Sequence, residues 1–199
     1  MSEPQILICA TSTDANSSLA SVELLRNVTI PNATKVVVVT GKFETQEARK
    51  FNIDADYPAE PAQLQTIAAW AELSHGPDSR LRDGYDLFCL RSILKKHGPF
   101  SYAVLLRHAR GFEGGWTDLA QRLGDKLFMI FGEVETEQAG GTPQGNVLFR
   151  LDDDQSTAFI EQALELYSSG AVYAFENYSF DIALGAAAES LRFQQRATG

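Results

Sequence analysis

The chain is poor in cysteine, with only Cys9 and Cys89 among 199 residues. Their spacing matches no zinc, haem or redox motif, which excludes a cysteine-built metal centre and a disulfide scaffold. Cys9 falls in an apolar strand pattern and Cys89 in a helical one, where buried free thiols are expected. Basic charge is also scarce: 17 Lys and Arg stand against 26 Asp and Glu, for a net charge of −9 and a pI near 4.8. Non-specific binding to nucleic acid or to an anionic membrane needs a basic face, so neither partner is expected. An anionic small molecule needs only a local basic pocket and stays open. No apolar run approaches the length of a membrane-spanning helix. The opening MSEPQILICATS is too short and too acidic for a signal peptide, so a reduced, cytoplasmic setting is the expectation. Without a secretory signal, the N-x-S/T triplets at Asn16, Asn27, Asn32 and Asn177 are expected to carry no glycan.

Several chemical signatures are missing as well. There is no G-x-x-x-x-G-K-[ST], no G-x-G-x-x-G after the first strand, no G-x-S-x-G and no H-E-x-x-H. The first turn, 10-ATSTDANSS-18, offers hydroxyls and amides but no glycine. A dinucleotide pyrophosphate needs close backbone approach there, so a Rossmann dehydrogenase is not expected. Ser12, Thr13, Asp14 and Ser17 suit capping of the next helix equally well. A response-regulator-like or flavodoxin-like domain needs an acidic pocket or a phosphate loop at this turn, and the segment offers neither.

What is present is ordinary globular sequence. Hydrophobic residues make up 44% and charged residues 22%. A chain this long buries about 70% of its unfolded surface as one domain, and residues 1–199 contain no repeat or clear linker. Apolar runs at 5-QILICATST-13 and 35-KVVVVTGK-42 read as strands, with a helix between them over 17–28. That order starts a parallel α/β sheet. Further helices are expected at 44–51, 62–74, 83–97, 116–123, 156–168 and 179–194. Further strands are expected at 101–107, 126–134 and 146–151, with an exposed loop over 135–145.

Ligands of open α/β sheets bind beyond the carboxyl ends of the strands. The candidate positions are therefore Thr11–Thr13, Thr40–Lys42, Arg107–Arg110, Glu133–Glu135 and Asp152–Asp154. Arg107 and Arg110 offer cations, and His108 offers an imidazole that titrates near neutral pH. Asp152 and Asp154 could ligate Mg²⁺ or Mn²⁺, although aspartates just before an amphipathic helix also suit its cap and dipole. His75 and His97 stand at helix ends and read as structural.

Two segments carry a family likeness. The stretch 85-YDLFCLRSILKKHGPFSYAVLLRHARGF-112 resembles the helix and strand that lead to the metal site of a GT-A type glycosyltransferase. The stretch 175-FENYSFDIALGAAAESLRF-193 is similar to the acidic loop and helix of that fold. The resemblance implies a three-layer α/β domain with a mostly parallel central sheet, helices on both faces, and a nucleotide-sugar site. It also implies that Thr11, Ser12, Thr13 and Thr40 meet the nucleoside, and that Asp181 or Glu176 is the base for an acceptor hydroxyl. The family's acidic pair would fall at Arg107 and Ala109, which cannot ligate a metal. Either Arg107 and Arg110 hold the diphosphate directly, in metal-independent transfer, or the site is lost and the domain is a non-catalytic interaction module. Oligomeric state stays open at this level.

Overall fold

The computed structural model describes residues 4–12, 23–30, 33–39, 79–107, 110–134 and 144–198. The expected helices at 44–51 and 62–74 lie outside these residues. Among these residues, five strands are present: β1 (Ile6–Ser12), β2 (Ala33–Val39), β3 (Tyr102–Leu105), β4 (Phe128–Val134) and β5 (Gln144–Arg150). Four helices follow the expected order: α1 (Ser79–His97), α2 (Gly115–Leu123), α3 (Asp154–Ser168) and α4 (Phe180–Thr198). Residues 23–27 are also helical, and a 3-10 turn spans Ala171–Ala174. Lys35 closes the carboxyl end of the 23–27 turn, donating to the carbonyls of Leu25 at 2.6 Å and Val28 at 2.5 Å.

The sheet order is β2-β1-β3-β5-β4. Strand β1 pairs in parallel with β2 and β3, whereas β5 pairs antiparallel with both β3 and β4. The sheet is therefore mixed, which corrects the expectation of a mostly parallel one. The reason is connection length. The segment 135–143 between β4 and β5 is shorter than the dozen or more residues a parallel crossover needs. The reversal moves one candidate site. Arg150 at the carboxyl end of β5 lies opposite Tyr102, the first residue of β3. Asp152–Asp154 thus sit at the sheet edge opposite the carboxyl ends of β1, β2, β3 and β4.

Alternation along the strands accounts for the three layers. Leu7, Cys9, Ala103, Leu105, Val147 and Phe149 face one core, shared with the apolar sides of α1, α3 and α4. Ile6, Ile8, Ala10, Val104, Leu106 and Leu148 face a second core with Leu25, Val28, Leu119 and Leu123. A strand buried on both faces needs an unbroken apolar run, which QILICA and YAVLL supply. Cys9 and Cys89 are free and buried, and burial raises both thiol pKa values.

Strand β4 carries a bulge between Phe131 and Val134. There Gly132 has φ of +64° and a Cβ would press on the Arg110 carbonyl, with Gly111 Cα 3.1 Å away. The turn after β3 crosses β4 at this point, so two backbones share space that a side chain would fill. Gly132→Ala is expected to cost about 1–3 kcal/mol from the left-handed backbone alone. Urea unfolding measures it, and an unchanged midpoint would mean the crossing relaxes freely.

Candidate functional site

The YAVLL run carries β3 into the core and delivers Arg107 just past its carboxyl end. The Arg107 side chain is only 6% exposed. Its guanidinium bonds Asp83, and it meets Asp86 Oδ2 at 2.9 Å through Nη2 and 3.2 Å through Nε. Both aspartates belong to α1, three residues apart, and so lie on one side of the helix. The guanidinium carbon also sits 4.6 Å from the centre of the Phe180 ring at the start of α4. In place of an open cation, the strand end presents a charge already met inside the protein.

The network extends from Asp83. The Tyr178 hydroxyl donates to Asp83 Oδ2 at 2.5 Å, and the Tyr167 hydroxyl lies 2.7 Å from that of Tyr178. Burial works against the Arg107 charge, but Asp83 and Asp86 outweigh it and raise its pKa. Burial pushes the Asp83 carboxyl up, against the opposing pull of Arg107 and Tyr178. One guanidinium serves two carboxyl groups, so ionising both would leave one negative charge unmatched, which burial disfavours. Burial raises Tyr178 and Tyr167, and the nearby Asp83 adds to it, so both remain protonated donors.

Asn146, fully buried on β5, holds the next turn. Its Oδ1 accepts from the Arg107 amide at 2.7 Å, and its Nδ2 donates to the Arg110 carbonyl at 2.9 Å. These two bonds bracket residues 108 and 109. His108 itself lies outside the described residues. Arg110 is exposed. Glu113 has its pKa lowered by the backbone amides of Glu113 and Gly111 and, least, by Arg110.

The other candidates separate into two groups. Asp181, in the first turn of α4, lines a pocket of about 180 Å³ together with Arg107, Ile130, Glu133, Gly145, Ser179 and Phe180. Ser179 Oγ accepts from the Ile182 amide at 3.2 Å and so caps α4. Thr11 and Ser12 end β1 at the same sheet edge. Thr13 and Thr40 lie outside the described residues. Glu176 is exposed on the loop before α4 and is not among the residues lining this pocket.

Asp152 and Asp154 stand at the opposite edge. Asp152 pairs with Arg150 Nε at 3.0 Å. Asp153 accepts from the Ser156 amide at 2.7 Å and its hydroxyl at 2.6 Å, and caps α3. Its carboxyl is lowered chiefly by those two Ser156 donors, with a smaller pull from Arg150. Among the described residues, no group of three or more His, Cys, Asp or Glu could hold a metal ion. No helix among them is long and apolar enough to cross a membrane.

No family of known proteins and no curated protein matches the chain. A solved structure named PaToxG glycosyltransferase aligns over 98% of this chain and 74% of its own, with 10% identity and a TM-score of 0.37. That is a weak, fold-level likeness to a glycosyltransferase. It transfers no residue roles.

Two outcomes follow from the buried cluster. Arg107→Met should destabilise the fold by about 3–5 kcal/mol, because it strands two carboxylates. Arg107→Lys should recover little, since a lysine cannot reproduce the fork. A thermal melt of both variants decides this, and a stable Arg107→Met would mean the aspartates find water. The second outcome concerns pH. A raised folded pKa at Asp83 means the folded state holds the proton more tightly. Its stabilisation is full below the ordinary carboxylate value and is lost as pH rises through the raised one. The stability difference, wild type minus Asp83→Asn, should therefore shrink in urea titrations as pH rises above the ordinary carboxylate range and through the raised value. A gap that widened with pH would mean Asp83 is held ionised.

Proposed function

We propose that this chain is a glycosyltransferase-like domain that recognises the sugar of a nucleotide-sugar, with Asp181 receiving the proton of an acceptor hydroxyl. The observation carrying this reading is the convergence of Arg107, Glu133, Ser179 and Asp181 on one pocket at the carboxyl edge of the sheet. Carboxylates and a hydroxyl suit hydroxyl groups, which they accept from and donate to. The pocket's 180 Å³ falls below the roughly 300–1,000 Å³ typical of clefts for drug-sized ligands. It suits one sugar ring rather than a whole nucleotide-sugar. The nucleoside would extend toward the ends of β1 and β2, near Thr11 and Ser12. Thr13, Thr40 and His108 remain candidates there on sequence grounds alone, and so does Glu176 as a second carboxylate. In this reading transfer is metal-independent, because Arg107 and Ala109 stand where the metal-binding acids would be.

The sequestration of Arg107 favours a second reading, a non-catalytic α/β interaction domain. A diphosphate placed at the pocket would meet Glu133 and Asp181 with no open guanidinium from Arg107 to offset them. Its charge must be met elsewhere.

A thermal-shift screen against UDP-, GDP-, CMP- and dTDP-sugars, each with and without Mn²⁺, separates the two readings. Ligand at about 100 times its dissociation constant stabilises by about 2.7 kcal/mol. The expected result is a shift with one nucleotide-sugar class that does not need Mn²⁺. Asp181→Asn should weaken that binding about tenfold. It should cost the fold no more than about 1 kcal/mol, since the residue is exposed at a helix start. No shift with any nucleotide-sugar would leave the interaction-domain reading standing.

A further inference from the structure

Helices α1 and α3 face each other across a cleft. On α1, Arg91, Leu94 and Lys95 follow the spacing of one helix side, and Thr157, Ile160 and Glu161 repeat it on α3. Together they wall a cavity of about 220 Å³. The turn after α1 begins with the Gly98 amide donating to the Leu94 carbonyl at 3.0 Å, and it brings Pro99 and Phe100 to the cavity. The Leu151 amide donates to the Ser101 carbonyl at 2.8 Å, so the chain entering β3 and the chain leaving β5 close one side together. This is the sheet edge opposite the carboxyl ends of β1 and β3. The cavity therefore lies away from the Asp181 pocket, and no residue lines both.

Most of the lining is apolar: Leu94, Pro99, Phe100, Leu151 and Ile160. An apolar cavity of about 150 Å³ is enough for a benzene ring. The 220 Å³ here suits one ring, or a branched alkyl group, with a short polar arm.

The charged residues of the lining are Arg91, Lys95 and Glu161. Arg91 is 7% exposed, and its guanidinium carbon lies 5.2 Å from the centre of the Phe88 ring. Its Nη1 meets Glu161 Oε2 at 3.4 Å, and Lys95 Nζ meets Glu161 Oε1 at 3.3 Å. Both exceed the roughly 2.7–2.9 Å of a close charge-assisted bond. Two cations thus share one carboxylate, and the lining carries one positive charge in excess. The Glu161 side chain is 43% exposed, so water competes for its pairs and they hold it weakly. A guanidinium fork matches a second carboxylate, which would complete the charge balance. A polyanion meets the net charge of −9 on the chain with only one excess cation to offset it.

We propose that the cavity between α1 and α3 binds a small monocarboxylic acid with a compact apolar body, an aryl or branched-alkyl acid. Its body packs on Phe100, Leu151 and Ile160, and its carboxylate takes the donors of Arg91 and Lys95 in competition with Glu161. The site is independent of the sugar reading, since an empty nucleotide-sugar screen does not bear on it.

A titration of the full chain with phenylacetate and with 4-methylpentanoate, followed by amide resonances in NMR, tests this. Shifts should saturate and centre on residues 94–100 and 151–161. The neutral isostere phenylacetamide should bind at least about tenfold more weakly. Lys95 and Glu161 have side chains 59% and 43% exposed, so replacing them should leave the spectrum otherwise intact. Lys95→Glu should weaken phenylacetate binding at least about tenfold. Glu161→Gln should tighten it, because the competing carboxylate is gone; a merely apolar cavity would show no such gain. No saturable shift with either acid at about 10 mM overturns the proposal. So does phenylacetamide binding as tightly as phenylacetate, or a Glu161→Gln variant with unchanged or weaker affinity.

Discussion

A single buried guanidinium fixes how three elements meet. Arg107 leaves the end of β3, forks onto Asp83 and Asp86 of α1, and lies over Phe180 of α4. A slide of α1 along the sheet by one residue would break the fork, leaving charge stranded in the core. Such a pair adds little net stability over an apolar replacement, because removing ions from water is costly. What it adds is register, since only one placement of α1 satisfies both carboxylates. Tyr178 then ties the loop before α4 to the same cluster. The pocket beside Asp181 takes its floor from this arrangement.

The reversed strand is the second constraint. Because β5 runs against its neighbours, its amino end joins the carboxyl ends of the others. Gly145 thereby reaches the pocket, and its neighbour Asn146 grips the turn after β3 from within the sheet. A parallel β5 would have placed Arg150 and Asp152–Asp154 there instead. The acidic run is left at the far edge, where Arg150 and the amino end of α3 account for Asp152 and Asp153.

Much of the fold was legible because it follows from periodicity. The QILICA and YAVLL runs are too short and too apolar for surface helices, and both become strands buried on two faces. The amphipathic pattern over 156–168 marks α3, whose observed span is Asp154–Ser168. The direction of β5 was written in the length of 135–143 and was not read there. The site was less legible. Sequence reasoning singled out Arg107 and Asp181, which the fold brings to one pocket, but it looked for the Arg107 partner in a ligand and not in Asp83 and Asp86 of α1. Asp83, Asp86, Tyr167, Tyr178 and Asn146 were missed. A signal existed for Asp86. It sits one turn before Leu90 on the apolar side of α1, where a carboxylate needs a buried cation. Asn146 gave no comparable signal, because its role depends on the turn after β3 arriving beside it.

The electrostatics of the pocket limit what it can hold. A chain with net charge −9 already repels polyanions at long range, and Glu133 and Asp181 repeat that sign at close quarters. A phosphate here would need a cation as near as the carboxylates, and Arg107 is bound inward to two aspartates. A neutral polyol meets no such barrier, and its hydroxyls can donate to each carboxylate. The same two carboxylates favour a cation arriving from outside, whether on a ligand or on another protein surface. The proposed sugar recognition would therefore follow from one local charge, set by where the fold has placed its arginine.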